Sequence, residues 1–197
     1  AAQPGLRPRF DRRRIAGRAR TLWRYREALP ISPEATLVHL GEGYTPLLQG
    51  RVGGLAVRLK QDHLFPSGSY KDRGAALLIS HAAALGVERV VEDSSGNAGA
   101  AIAAYCARAG LACDIYVPAD ASPAKLTQIQ AYGATLHRVP GGRQAVAPSP
   151  VASRFTREEP RQMTFEDIEQ TKRDYAAAAL RVPGPPASLR SRRREAR

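Results

Sequence analysis

Two short strings about twenty residues apart hold the residues best able to do chemistry. The first is Ser67-Gly68-Ser69-Tyr70-Lys71-Asp72-Arg73-Gly74, which puts one lysine at the mouth of an apolar helical run. The second is Ser94-Ser95-Gly96-Asn97-Ala98-Gly99, a glycine-bearing turn rich in small hydrogen-bonding groups. A lysine amine can condense with a carbonyl carbon, and a turn of backbone N–H groups and hydroxyls can hold a carboxylate. An amine facing such a loop suits Schiff-base chemistry on an amino acid. Each string also has a plain reading. Lys71 could be a solvated lysine in a first helical turn, although a cation is disfavoured at that end of a helix. Ser94 to Gly99 could be an ordinary strand-to-helix turn. A lone Gly-x-x-Gly spacing is weak, and neither a Walker lysine nor a Gly-x-Gly-x-x-Gly fingerprint accompanies it.

The elements that must position these strings follow from periodicity and punctuation. Residues 56–60 alternate apolar and polar and predict a strand. Residues 71–85 predict an apolar helix closed by Gly86. Residues 89–92 predict a strand that leads into the second string, and residues 97–109 a helix closed by Gly110. Residues 113–117 predict a strand stopped by Pro118. Ser122-Pro123 predicts a cap and first-turn proline for a helix reaching Gly133, and residues 135–139 a further strand. This alternation predicts an α/β fold, a parallel sheet with helices on both faces, with residues 55–140 in one layer. Asn97 and its loop then lie at the carboxyl end of a strand, where open α/β sheets bind ligands. Lys71 and Asn97 are expected to face one cleft.

The ends differ from this centre. The formal charge of +12 is concentrated there: residues 1–26 hold nine Arg and one Asp, whereas residues 27–150 hold ten basic and ten acidic residues. Three regions are expected: a basic, partly helical segment at 1–35, the α/β portion at 36–145, and a divergent region at 146–197 with one helix over 164–180 and a disordered basic tail. Residues 1–15 and 183–197 are expected to be mobile. No basic face with interleaved aromatics or zinc-finger spacing is present, so specific nucleic-acid binding is not expected. No apolar run reaches membrane length. Cys106 and Cys113 lack metal-site spacing and read as buried small hydrophobes of a reducing cytosol. His63, His81 and His137 read as structural, and no metal site is expected.

The two strings together resemble those of the fold-type II pyridoxal-phosphate enzymes, which are tryptophan synthase β-like in fold, and among them the threonine synthases most of all. Ser69-Tyr70-Lys71-Asp72-Arg73-Gly74 is similar to the family's lysine string, with Tyr70 in place of the usual Phe. Ser94 to Gly99 resembles its substrate-carboxylate loop. Leu22-Trp23-Arg24-Tyr25-Arg26, Gly41-Glu42-Gly43-Tyr44-Thr45-Pro46-Leu47, Val117-Pro118, Lys125, Gln130 and Gly133-Ala134 add to the likeness, which runs over about residues 20–145. Cysteine synthases usually carry Ser-Val-Lys-Asp-Arg, and serine or threonine dehydratases a loop ending Gly-Asn-His.

The resemblance implies pyridoxal 5′-phosphate as cofactor, joined to Lys71 as a Schiff base, with Asn97 at the ring oxygen. It implies that Ser94, Ser95, Gly96, Asn97 and Ala98 hold the substrate carboxylate. The reaction it implies is conversion of O-phospho-L-homoserine and water to L-threonine and phosphate, in the cytoplasm, with a homodimer open for the full-length form. The family's glycine-rich loop for the cofactor phosphate has no match in residues 143–197, and the chain opens on Ala1, so a fragment of a longer protein is expected, with low cofactor occupancy and negligible turnover. Two other readings stand beside this one: a dehydratase-like lyase of the same fold, and a non-catalytic remnant or small interaction module.

Overall fold

The computed structural model describes residues 11–141 and 162–163. The expected helix at 164–180, the expected mobile tail at 183–197 and residues 1–10 lie outside the described residues. The chain begins with a short helix α1 (Arg12–Gly17), capped by the Asp11 carboxylate, which accepts from the N–H groups of Arg13 and Arg14 at 2.8 and 3.3 Å. A 3-10 turn over Leu22–Ala28 buries Trp23 and ends before Pro30.

Next comes a correction to the predicted sheet. The strand β2 (Leu55–Lys60) does not join the parallel layer. It pairs antiparallel with β1 (Leu47–Val52) in a separate two-stranded ribbon, with Val52 opposite Leu55. The cause is the connection. Gly53 and Gly54, at φ +53° and +82°, make a two-residue turn. So short a link permits only antiparallel neighbours, and two successive positive φ values call for glycine.

The parallel sheet itself is as the alternation predicts from residue 72 onward. Helix α2 (Asp72–Ala84) leads to β3 (Arg89–Glu92), α3 (Asn97–Ala109), β4 (Ala112–Pro118), α4 (Pro123–Ala131) and β5 (Thr135–Val139). The two-residue strand β6 (Gln162–Met163) adds to the far side of β3, giving the order β5-β4-β3-β6, with every pair parallel.

One core joins these elements. Val90, Ile115 and Val117 on one face of the sheet pack with Leu77 and Ile79 of α2, the alanines of α3, and Leu126 and Ile129 of α4. The small side chains of Ala100, Ala101, Ala103 and Ala104 let α3 sit close between its neighbours. Both cysteines are free thiols buried in this core, and the hydrogen bond with Cys113, together with burial, pushes the Cys106 thiol well above its ordinary range.

Asp114 and Tyr116 point to the other face. There the buried Asp114 carboxylate pairs with Arg89 at 2.5 Å and His137 at 2.7 Å, and the His137 ring stacks on Tyr116 at 4.5 Å. The His137 ring is thus held on this face by a hydrogen bond and a ring stack. Among the described residues no helix is long and apolar enough to cross a membrane, and no group of three or more His, Cys, Asp or Glu could hold a metal.

Candidate functional site

Lys71 occupies the residue immediately before α2, where the turn 67–71 delivers it to the helix. That turn is held by its own side chains. The fully buried Asp72 carboxylate accepts the Ser67 N–H at 2.9 Å and also the Ser67 hydroxyl. Burial raises the Asp72 carboxyl above the usual carboxylate range, against the opposing pull of those two bonds. The Lys71 N–H donates to Ser69 Oγ at 3.3 Å.

Arg73 is spoken for too. It meets Asp62 with both terminal nitrogens, at 2.7 and 3.0 Å, and lies over the Phe65 ring at 4.4 Å. Asp62 also accepts from Thr45 Oγ1 at 2.9 Å, and the Arg73 hydrogen bond holds its carboxyl below the usual range. Asp72 and Arg73 therefore fix the turn, while Lys71 and Tyr70 stay exposed, with the amine 4.9 Å from the Tyr70 ring centroid. No carboxylate pairs with Lys71 among the described residues.

The second string is the link from β3 into α3. Gly96 caps the helix; its N–H donates to Ser94 Oγ at 3.3 Å and its carbonyl accepts the first helical bond, from Ala100 N at 3.0 Å. The N–H groups of Asn97, Ala98 and Gly99 thus have no partner within the helix. They form a donor-rich, partially positive end beside the hydroxyls of Ser94 and Ser95. Gly99 permits a close approach here, since a Cβ at that position would lie 1.9 Å from the Ser94 carbonyl oxygen.

Lys71, Ser94, Ser95, Gly96, Asn97 and Ala98 all line one cleft of about 580 Å³. The structure thus brings every sequence-predicted site residue together. Asp93, Pro118, Ala124 and Gln128 complete the described lining and were missed by sequence reasoning. The rule that ligands bind outside the carboxyl ends of parallel strands could have found Asp93 and Pro118, which sit at or just beyond the ends of β3 and β4. Gln128 gave no such signal, because its place on the cleft depends on how α4 packs.

The cleft volume lies within the range of small-molecule sites. A lone amine on one wall faces a cluster of N–H and hydroxyl donors on another. Those donors can bind an anionic or electron-rich group, and the amine can attack a carbonyl. The residues fit the reactive end of pyridoxal phosphate: an aldehyde needs an amine, and a ring oxygen and a carboxylate need donors.

Comparison with known proteins agrees with this chemistry. Residues 38–179 match the family model described as pyridoxal-phosphate dependent enzyme, which extends past the stretch where individual motifs are recognisable. The chain is 36% identical over 142 residues to the threonine synthase of Methanocaldococcus jannaschii, covering 69% of this chain and 35% of that one. It is 40% identical over 124 residues to the threonine synthase of Synechocystis, covering 59% and 32%. The chain thus spans about a third of the length of these curated relatives.

Among solved structures, the fold is similar to a hydrogen sulfide-producing enzyme of Fusobacterium nucleatum, with TM-score 0.55, 25% identity, and 62% of this chain and 42% of that one covered. It is also similar to the serine racemase of Dictyostelium discoideum, with TM-score 0.54, 28% identity, and 70% and 46% covered. A parallel α/β sheet that sets a lysine and a donor-rich strand-to-helix loop on one cleft, together with a family match over most of the sequence, shows that the chain belongs to the pyridoxal-phosphate dependent enzymes of fold-type II.

Proposed function

We propose that the chain is the lysine-bearing portion of a threonine synthase, a cytosolic enzyme that converts O-phospho-L-homoserine and water to L-threonine and phosphate. The observation that carries this reading is the shared cleft of Lys71 and the 94–98 loop. Relatives named threonine synthase, 36% and 40% identical across the same stretch, support the choice of substrate.

Pyridoxal phosphate, when bound, withdraws electrons from the substrate's α-carbon and so eases the breaking of bonds next to it. Lys71 Nζ would hold the cofactor's carbonyl carbon, and once freed would take and return protons over the substrate. The Asn97 side chain would hold the cofactor's ring oxygen. The hydroxyls of Ser94 and Ser95, with the backbone N–H groups of Gly96, Asn97 and Ala98, would bind the substrate carboxylate at the positive end of α3. Asp72 would take no proton from substrate, since its carboxyl is buried against Ser67.

Incubation with pyridoxal phosphate, reduction with borohydride and peptide mapping test the lysine. Lys71 should carry the label, and the Lys71→Ala chain should lose it. Label spread evenly over Lys60, Lys125 and Lys172 would defeat the assignment.

A second reading, a sibling enzyme acting on serine or a related amino acid, draws on the fold's similarity to the serine racemase and the hydrogen sulfide-producing enzyme. A version spanning the full length of the relatives separates the two. Release of phosphate and threonine from O-phospho-L-homoserine supports the first. Turnover of serine with no action on O-phospho-L-homoserine supports the second.

A further inference from the structure

We propose that Gln128, on α4, is a positioning residue for Lys71. The inference rests on Lys71 as the cofactor lysine, and it concerns a group on the far side of the cleft. Ser67 is buried at the start of the lysine turn, and all of its polar groups need partners. Its N–H and hydroxyl go to Asp72. Its carbonyl oxygen accepts from Gln128 Nε2 at 2.9 Å, across 61 residues of sequence. The same amide lies 3.3 Å from the hydroxyl of Tyr132, the residue that caps the end of α4, and so is held locally as well.

The lysine turn is therefore clamped at Ser67 from two sides, by Asp72 from within and by Gln128 from α4. Gln128 also lines the cleft that holds Lys71 and the anion loop. Helix α4 packs on the core through Leu126 and Ile129, and Ile129 is the side chain that approaches Gly99 of α3. One helix thus sets the separation of the cleft's two working walls: Ile129 meets the loop side, and Gln128 meets the lysine side. Without the Gln128 bond the turn would still be tied to Asp72, but it would lose its register to α4 and the loop.

The test compares the full 197-residue chain with Gln128→Met, which keeps the side-chain length and removes the donor. Thr127→Ala serves as control, since among the described residues the Thr127 hydroxyl bonds only within its own helix, to the Pro123 carbonyl. Two quantities are read: the rate of Lys71 and Lys60 labelling by pyridoxal phosphate and borohydride, and amide exchange across residues 67–72 and 77–82. Gln128→Met should speed exchange at 67–72 about tenfold, the equivalent of one hydrogen bond, and slow Lys71 labelling several-fold. Exchange at 77–82 and labelling of Lys60 should not change, and Thr127→Ala should match the parent. Unchanged exchange at 67–72, or an equal rise at 67–72 and 77–82, would overturn the proposal. Were the parent chain to show no label at Lys71, the cofactor reading would fall, while the exchange data would still decide whether Gln128 holds the turn.

Discussion

A Cβ placed on Gly99 would fall 1.9 Å from the carbonyl oxygen of Ser94 and 3.1 Å from Cδ1 of Ile129. The first turn of α3 and the end of the β3 loop are thus packed backbone to backbone, with α4 closing the third side. Gly99→Ala must push the loop or the helix aside. The expected cost is about 1–3 kcal/mol of stability, the usual range for overpacking a tight site. Denaturant titration measures it. The displaced loop should also weaken binding of a carboxylate at the cleft, and a Gly99→Ala chain as stable as its parent would show that the loop yields freely.

Asp62 and Asp72 lie near each other in sequence, and their carboxyls shift in opposite directions, which gives them opposite pH signatures. Arg73 depresses Asp62, so its contribution is present above the unfolded carboxylate range and fades as pH falls through the lower folded value. The stability gap between the parent and Asp62→Asn should be about 1 kcal/mol near neutrality, since the pair is partly exposed, and should close in acid. Burial raises Asp72. Its proton is held more tightly in the folded state, so its titration favours folding at low pH and loses that advantage as pH rises through the folded value. The gap between the parent and Asp72→Asn should therefore narrow as pH rises over that window. Chemical denaturation of the three chains from acid to neutral pH measures both slopes, and parallel slopes would refute the assignment.

The parts of the fold written in local pattern were legible. The run from residue 71 to 139 alternates strands and helices with glycines at the helix ends, and Gly86 and Gly110 both take positive φ there. That the two strings share a cleft was legible because each opens a helix, and chain direction places the starts of α2 and α3 on the same edge of the sheet. The ribbon was half-read. The alternation of 56–60 marks a strand, but its pairing with β1 went unread, because β1 begins with Leu47-Leu48 and breaks the period of two. The clamp at Ser67 was out of reach, because Gln128 meets it only through the packing of α4. Nor does spacing show that Asp114 would gather Arg89 and His137, which depends on the register of three strands.

That ion cluster supplies a control for the site. Asp114 is buried, whereas Arg89 and His137 are partly exposed, and the group lies on the sheet face opposite Ile115 and the α3 packing. Asp114→Ala should cost about 1–3 kcal/mol, because two hydrogen bonds to a buried acceptor are lost. Its effect should stop at stability. Labelling of Lys71 under native conditions should match the parent, and a selective loss of that label would mean that the two faces of the sheet are coupled.

Tyr105 and Glu42 form a fully enclosed polar pair that ties the segment ahead of the ribbon to the core. Both are fully buried, and the Tyr105 hydroxyl donates to Glu42 Oε2 at 2.8 Å. The Leu40 N–H donates to the same oxygen at 2.9 Å, while Oε1 has no hydrogen-bond partner among the described residues. Burial and the neighbouring Glu42 carboxyl hold the Tyr105 phenol well above its ordinary range, so it remains a donor at any working pH. The Glu42 carbonyl in turn accepts the Leu22 N–H at 2.8 Å, next to the buried Trp23. Tyr105→Phe removes a donor from an already under-satisfied buried carboxyl and should cost about 2–3 kcal/mol. Glu42→Gln should also destabilise. In the double variant Tyr105→Phe, Glu42→Gln, the loss should fall short of the sum of the two single losses by about 1 kcal/mol or more, because the pair acts as one unit. Denaturant melts of the four chains supply that cycle. Strict additivity would mean that Tyr105 and Glu42 stabilise the core independently and that their 2.8 Å contact contributes little to holding the Trp23 segment in place.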